Sequence, residues 1–242
     1  MSVLLEARSI SKSFRGLKAV SNASFELAEG SISALIGPNG AGKTTCFNMI
    51  AGVFRPDSGE IVFQSRQIQG LRPDQVCAAG IGRTFQLVKP FAGLSVLDNV
   101  IVGALRRERS VAAAREFSRA ILGKLRLEKK QDLPASSLTL PDRKRLEVAR
   151  ALATHPKLLL LDEVMAGLRP TECDQMVEVF RELNRTDGLT ILLIEHVMRA
   201  VMALAQHVGV LHHGEVIARG TPQEIVRNPA VLECYLGEET EV

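Results

Sequence analysis

Eight consecutive residues, Gly37-Pro38-Asn39-Gly40-Ala41-Gly42-Lys43-Thr44, constrain this chain more than any other stretch, because they satisfy GxxxxGK[ST] at every position. Glycines so spaced let a backbone curl round an anion with its N–H groups pointing inward. The run SISALIG (Ser31 to Gly37) leads into the loop with a strand pattern, and KTTCFNMIAG leads out with a helical one. A strand–loop–helix results, ended by Gly52 and Pro56. The positive end of that helix and the Lys43 charge both favour phosphate, and the Thr44 hydroxyl suits Mg²⁺. A plain tight turn is the alternative, and the strand and helix on either side favour phosphate binding.

The rest of the chain reads as an α/β protein. VLLEARSIS, AVSNASFEL and GEIVFQ are short β-type runs near the start, and Leu94 to Gln131 turns to a helical period. After Leu138 the pattern alternates: helix DRKRLEVARALATH, strand KLLLLDE, helix TECDQMVEVFREL, strand LTILLIE, helix HVMRAVMALAQ, then strands VGVLHH and GEVIARG. All-apolar strands separated by helices predict a parallel sheet covered on both faces. With 46% hydrophobic residues but only 4% aromatics and no Trp, the core is one of Leu, Val, Ile and Ala. A net charge of +3 is too small for a dedicated nucleic-acid binder. Cys46, Cys77, Cys173 and Cys234 form no CxxC pair, which argues against zinc and disulfides.

The N-terminus has acidic Glu6 and no long apolar stretch, so no signal peptide is expected. The most apolar region, Thr190 to Leu211, is broken by Glu195, His196, Arg199 and His207, so no spanning helix is expected either. Nine Lys/Arg against four Asp/Glu between Gly103 and Asp132 suggest a solvated helical face or a surface beside anionic headgroups. The acidic end from Glu233, with Glu238, Glu239 and Glu241, reads as a solvated tail.

In LLLLDE, four apolar residues deliver Asp162 at the carboxyl end of a buried strand, where ligands bind in such sheets. Asp162 is placed to hold the Mg²⁺ shell, and Glu163 to orient or deprotonate an attacking water. Together these motifs resemble the ATP-binding subunit of an ABC transporter. Phe14 matches that family's adenine-stacking aromatic, Gln86 in GRTFQ its Q-loop and His196 after IE its switch histidine. By themselves these three would read as a core phenylalanine, a surface glutamine and a capping or core histidine.

The resemblance implies ATP and Mg²⁺ as ligands, with Glu163 and His196 catalytic. Phe14 and the loop from Gly37 through Thr44 to Thr45 would hold the nucleotide, and Thr44, Gln86 and Asp162 the metal. It implies a P-loop NTPase core with a mostly parallel sheet, an antiparallel β edge and an inserted helical subdomain. The single domain would divide into a nucleotide-binding core at 1–86 and 136–242 and a helical subdomain at 87–135. Expected partners are a second ATPase subunit, transmembrane permease subunits and, for an importer, a solute-binding protein, with no nucleic acid. The expected location is peripheral, on the cytoplasmic face of the inner membrane.

RTFQLVKPFAGLSVLDNVIVGAL, RKRLEVARALA, LLLDEVMAGLRPTE and the ending IARGTPQEIVRNPAVLECYLGEE are similar to the branched-chain amino acid and amide uptake ATPases. An exporter ATPase for lipid-like material would carry nearly the same motifs, and a nucleotide-gated regulatory subunit with little turnover is a third reading. DNA-repair and chromosome-type heads place coiled coils or zinc cysteines between the ATP motifs, and here that stretch has no sustained heptad and, besides Cys46, one cysteine, Cys77.

One element departs from the family. Where LSGGQ is expected, the residues are Leu138-Thr139-Leu140-Pro141-Asp142. Thr139 keeps a hydroxyl, Leu140 adds bulk and Pro141 removes an N–H, while Asp142 is expected either to set a like charge against the opposing subunit's phosphate or to stabilise its own helix start. In the family's head-to-tail dimer this signature serves the other subunit's nucleotide, so the departure favours a heterodimer over a homodimer.

Overall fold

A computed structural model describes residues 2–86 and 89–236. The chain opens with β1 (Val3–Phe14) and β2 (Leu17–Ala28), a long antiparallel pair, then β3 (Ile32–Ile36) and α1 (Lys43–Ile50). Next come β4 (Ser58–Phe63), β5 (Arg66–Gln67), α2 (Pro73–Ala79) and β6 (Ile81–Arg83). Two helices follow, α3 (Val96–Ala104) and α4 (Val111–Lys124), and then α5 (Leu140–Leu152) and β7 (Leu158–Asp162). The chain continues with α6 (Pro170–Asp187), β8 (Thr190–Ile194), α7 (Met198–Leu204), β9 (His207–His212) and β10 (Glu215–Gly220). Helices α8 (Pro222–Ile225) and α9 (Pro229–Leu236) complete it.

One sheet has the order β10-β9-β3-β8-β7-β6 and is parallel except for β10; the other, β2-β1-β4-β5, is antiparallel. Every residue of β3, β7 and β8 is buried. Their side chains alternate between two cores, as a pleat requires. Ile36, Leu159, Leu161, Ile191 and Leu193 face the helices α3 to α6, while Leu35, Leu158, Leu160, Leu192 and Ile194 face α1 and the antiparallel sheet. The carboxyl ends of β3, β7 and β8 therefore open together, each feeding a loop that carries candidate site residues.

The helical period from Leu94 to Gln131 takes the form of two α-helices, because Ser95 and Ser110 each cap a helix start, accepting the N–H of Asp98 and Ala113. The basic run within it is largely cross-linked. Arg106 and Arg107 donate to the Asp74 and Ala78 carbonyls, and Lys124 pairs with Asp187. Glu233, the first residue of the acidic end, is exposed. Glu233 lies in α9, where Val231 and Cys234 are buried, and Glu238, Glu239 and Glu241 fall outside the described residues. Helix α2 and the three-residue β6 have no counterpart in the sequence reading. Among the described residues no helix is long and apolar enough to cross a membrane.

Candidate active site

The phosphate loop is shaped by what presses against it. A Cβ at Gly37 (φ +149°) would stand 2.0 Å from the Leu211 carbonyl oxygen, and one at Gly42 (φ +102°) 2.3 Å from that of Ala19. Both positions therefore exclude a side chain on space as well as on backbone angle. The β9–β10 turn braces the loop, with the Gly214 N–H donating to the Ala41 carbonyl at 3.0 Å. Lys43 is buried, and its Nζ donates to the carbonyls of Gly37 and Pro38 at 2.6 and 2.7 Å, which holds the ammonium across the loop. Asn39, Gly40 and Thr44 are exposed, Thr45 is half-buried, and Pro38 and Ala41 are buried. Phe14, at the end of β1, packs edge-to-face on Phe54 at 5.1 Å and keeps 36% of its surface exposed.

Across the sheet, Asp162 ends β7 with 1% exposure. Arg83 reaches Asp162 Oδ2 at 3.2 Å and also donates to Asn48 Oδ1 at 2.6 Å, which ties β6 and α1 to β7. Asp162 Oδ1 is buried without a hydrogen-bond partner among the described residues. Burial pushes the Asp162 carboxyl above its ordinary pKa, and Arg83 opposes that rise. A cleft of about 490 Å³ is lined by Thr44, Gln86 and Asp162, together with Arg83, Glu147 and Arg150.

Glu163 follows in a left-handed backbone conformation (φ +50°), rare for a residue with a side chain and concentrated at functional sites. Its two oxygens are held separately. Gln86 Nε2 donates to Oε2 at 2.7 Å, and His196 Nε2 contacts Oε1 at 2.7 Å. Residues 86, 163 and 196, distant in the chain, thus converge on one carboxylate. His196 reaches it because α7 begins only at Met198, leaving the histidine in the loop after β8.

Three neighbours escaped the sequence reading. Arg83 lies in a strand too short to read, although a charge three residues before Gln86 was a signal. Lys144, 6% exposed on α5, donates to the Glu163 carbonyl at 3.0 Å, and burial lowers its pKa. Glu195, 2% exposed, accepts the Met165 N–H at 2.8 Å, and its position at the end of an all-apolar strand was the available signal.

Of the two roles expected of Asp142 the structure has the local one, at the start of its own helix α5. Asp142 is 4% exposed and turned inward, paired with Lys130 and with Arg145 Nη1 at 3.7 Å. The Thr139 hydroxyl donates to Asp142 Oδ2 at 2.8 Å. Leu140 and Pro141 form the first turn of α5, where the proline lacks an N–H. The altered signature closes on itself, while Leu138 is buried beneath it.

A loop that wraps phosphate, with a carboxylate pair delivered on the same side of the same sheet, is the apparatus of a P-loop nucleotide hydrolase. Residues 20–166 match the ABC transporter family, and residues 215–241 match the branched-chain amino acid ATP-binding cassette transporter family. The chain belongs to the ABC transporter family, as an ATP-binding subunit. It is 40% identical to the high-affinity branched-chain amino acid transport ATP-binding protein LivG of Salmonella typhimurium, covering 97% of this chain and 98% of LivG. It is 37% identical to the lipopolysaccharide export system ATP-binding protein LptB of Acidithiobacillus ferridurans, over 100% of both chains. The solved ADP conformation of an ABC transporter ATP-binding cassette superposes with a TM-score of 0.89 at 30% identity, covering 98% of this chain and 100% of the cassette. The protein is an ATPase that couples hydrolysis to transport, and such cassettes work as dimers with transmembrane permease components.

Proposed function

We propose that this subunit powers the import of branched-chain amino acids or related amides. The single observation that carries the substrate class is the match of its C-terminal residues 215–241 to the branched-chain amino acid cassettes. The nearly full-length similarity to LivG supports the same reading.

Glu163 is the general base, taking a proton from the attacking water. Gln86 and His196 hold its two oxygens, and His196 donates to the γ-phosphate when it releases Oε1 to the water. Phe14 and residues 37–45 bind the nucleotide, with Lys43 as the charge on the β/γ-phosphates. The site's donor set suits Mg²⁺: the unpartnered Oδ1 of Asp162, the Thr44 hydroxyl and the Gln86 amide are hard oxygen donors on one cleft. Thr44, Gln86 and Asp162 would hold the ion, which when bound neutralises charge developing on the phosphates.

Residues 87–135 act as a helical subdomain that receives the permease. A groove of about 290 Å³ between it and the core is lined by exposed Val53, Phe85, Phe91 and Val102, which supports an apolar partner there. The subunit then works at the cytoplasmic face of the inner membrane, in an importer whose permease is supplied by a solute-binding protein. Its ATPase partner is an unlike subunit, a reading supported by the self-closed signature around Asp142.

The test is ATP-driven uptake of labelled leucine into vesicles holding the assembled transporter. Glu163→Gln should abolish uptake while ATP still binds. Undiminished uptake in that variant would remove Glu163 from its role, and extraction of lipid in place of leucine uptake would favour an exporter.

A further inference from the structure

Two loops carry the hydrolytic residues: one follows β7 and holds Glu163, the other follows β8 and holds His196. Their relative position decides whether the 2.7 Å contact between these side chains exists. Glu195 bridges the loops. It sits in the second, immediately before His196, and its Oε1 takes the Met165 N–H of the first at 2.8 Å. A second strut runs from α5, where Lys144 Nζ donates to the Glu163 carbonyl at 3.0 Å. The Glu163 backbone is left-handed at φ +50°, so it needs such external support.

A surface carboxylate would not serve as this bridge, and Glu195 is not one. It is 2% exposed, its Oε2 is buried without a hydrogen-bond partner among the described residues, and it faces Lys144, Glu163, His196 and the Cys173 thiol. An acidic residue held so far from water with one oxygen idle costs stability, and what its carboxyl meets is backbone of both loops, the Met165 N–H and the backbone of His196. An apolar residue would fill that volume at lower cost. What Glu195 adds is an acceptor of the right reach.

We propose that Glu195 is a positioning residue for ATP hydrolysis, fixing the Glu163 loop to the His196 loop through the Met165 N–H. The contribution is one of reach, not of charge. The inference rests on Glu163 and His196 acting as assigned above.

Two conservative substitutions separate the terms. Glu195→Gln keeps the acceptor at the same distance and removes the ionisable group, while Glu195→Asp keeps an ionisable carboxyl and withdraws the acceptor by one methylene. Steady-state ATPase of the assembled transporter should show Glu195→Gln within about twofold of wild-type kcat. Glu195→Asp should lose about tenfold or more in kcat with KM within about twofold, because a misplaced reacting group costs rate and not ground-state binding. A role confined to packing would leave kcat of both variants near wild type, and that result overturns the proposal. So does Glu195→Gln falling as low as Glu195→Asp, which would make the ionisable group the active feature. Glu163→Gln is measured alongside. If it is inactive while Glu195→Asp turns over normally, only the bridge fails; if it turns over normally, the bridge fails together with the site assignment.

Discussion

At the scale of single residues, this site is built from carboxyls taken out of water. Burial raises the pKa of Asp162 above its ordinary value, and pushes Glu195 from 4.5 up to about 7 against the pull of the Met165 N–H and Lys144. For Glu195 the folded state prefers the neutral acid. Below pH 4.5 it is protonated whether the chain is folded or not, and it makes no pH-dependent difference. As pH rises toward 7 the unfolded chain releases a proton that the folded chain retains, so unfolding gains and stability falls; above about 7 the loss is complete. Glu195→Gln does not titrate. Its stability relative to wild type should therefore rise by about 2 to 3 kcal/mol between about pH 5 and about pH 8, read by urea denaturation. An unchanged difference across that range would mean that Glu195 is ionised in the fold.

At the scale of elements, helix α5 shows how a signature can be turned into a brace. Asp142 in its first turn collects Lys130, the Thr139 hydroxyl and Arg145, and Arg145 passes on to Gln175 of α6 at 2.7 Å. Removing the carboxylate strands Arg145, whose side chain is 10% exposed, whereas Lys130 at 41% can return to water. Asp142→Ala should therefore cost about 2 kcal/mol, below the range for a fully buried pair, as a shift in the urea midpoint at constant slope. This inward turn could not be read from the sequence, because Pro141-Asp142 at a helix start suits a carboxylate facing solvent equally well. The apolar strands were legible, since LLLL and ILLI admit only burial on both faces. The phosphate loop was legible too, because its glycines and Lys43 fall between a strand pattern and a helical one. Strand β6 was not: three residues, one of them Gly82, carry no period, and it forms by pairing with Leu158 to Leu160 of β7. Gln86, Glu163 and His196 were legible as separate matches, while their meeting on one carboxylate depends on the order β8-β7-β6, which local pattern does not encode.

At the scale of the whole molecule, the two surfaces that a cassette dimer joins are unequally equipped. On the nucleotide side the loop, Asp162, Glu163 and His196 are all present and mutually positioned. On the signature side the Thr139 hydroxyl is spent on Asp142, Pro141 has no N–H to offer and Leu140 stands 39% exposed where close backbone approach is needed. Two copies of this chain would meet with two weakened interfaces, each triphosphate facing a signature poor in donors. One copy paired with a subunit bearing an intact signature would make one strong site, on this chain's nucleotide, and one weak one. A triphosphate held between subunits contributes to association only through the donors that meet it. The Glu163→Gln protein, which should bind ATP without hydrolysing it, isolates that contribution. Light scattering of this variant alone should give a monomer with and without Mg-ATP, and addition of the partner ATPase subunit should give an ATP-dependent dimer. Formation of an ATP-dependent dimer by this chain alone would mean that Thr139 and its altered turn suffice, and the transporter would then run on two identical engines.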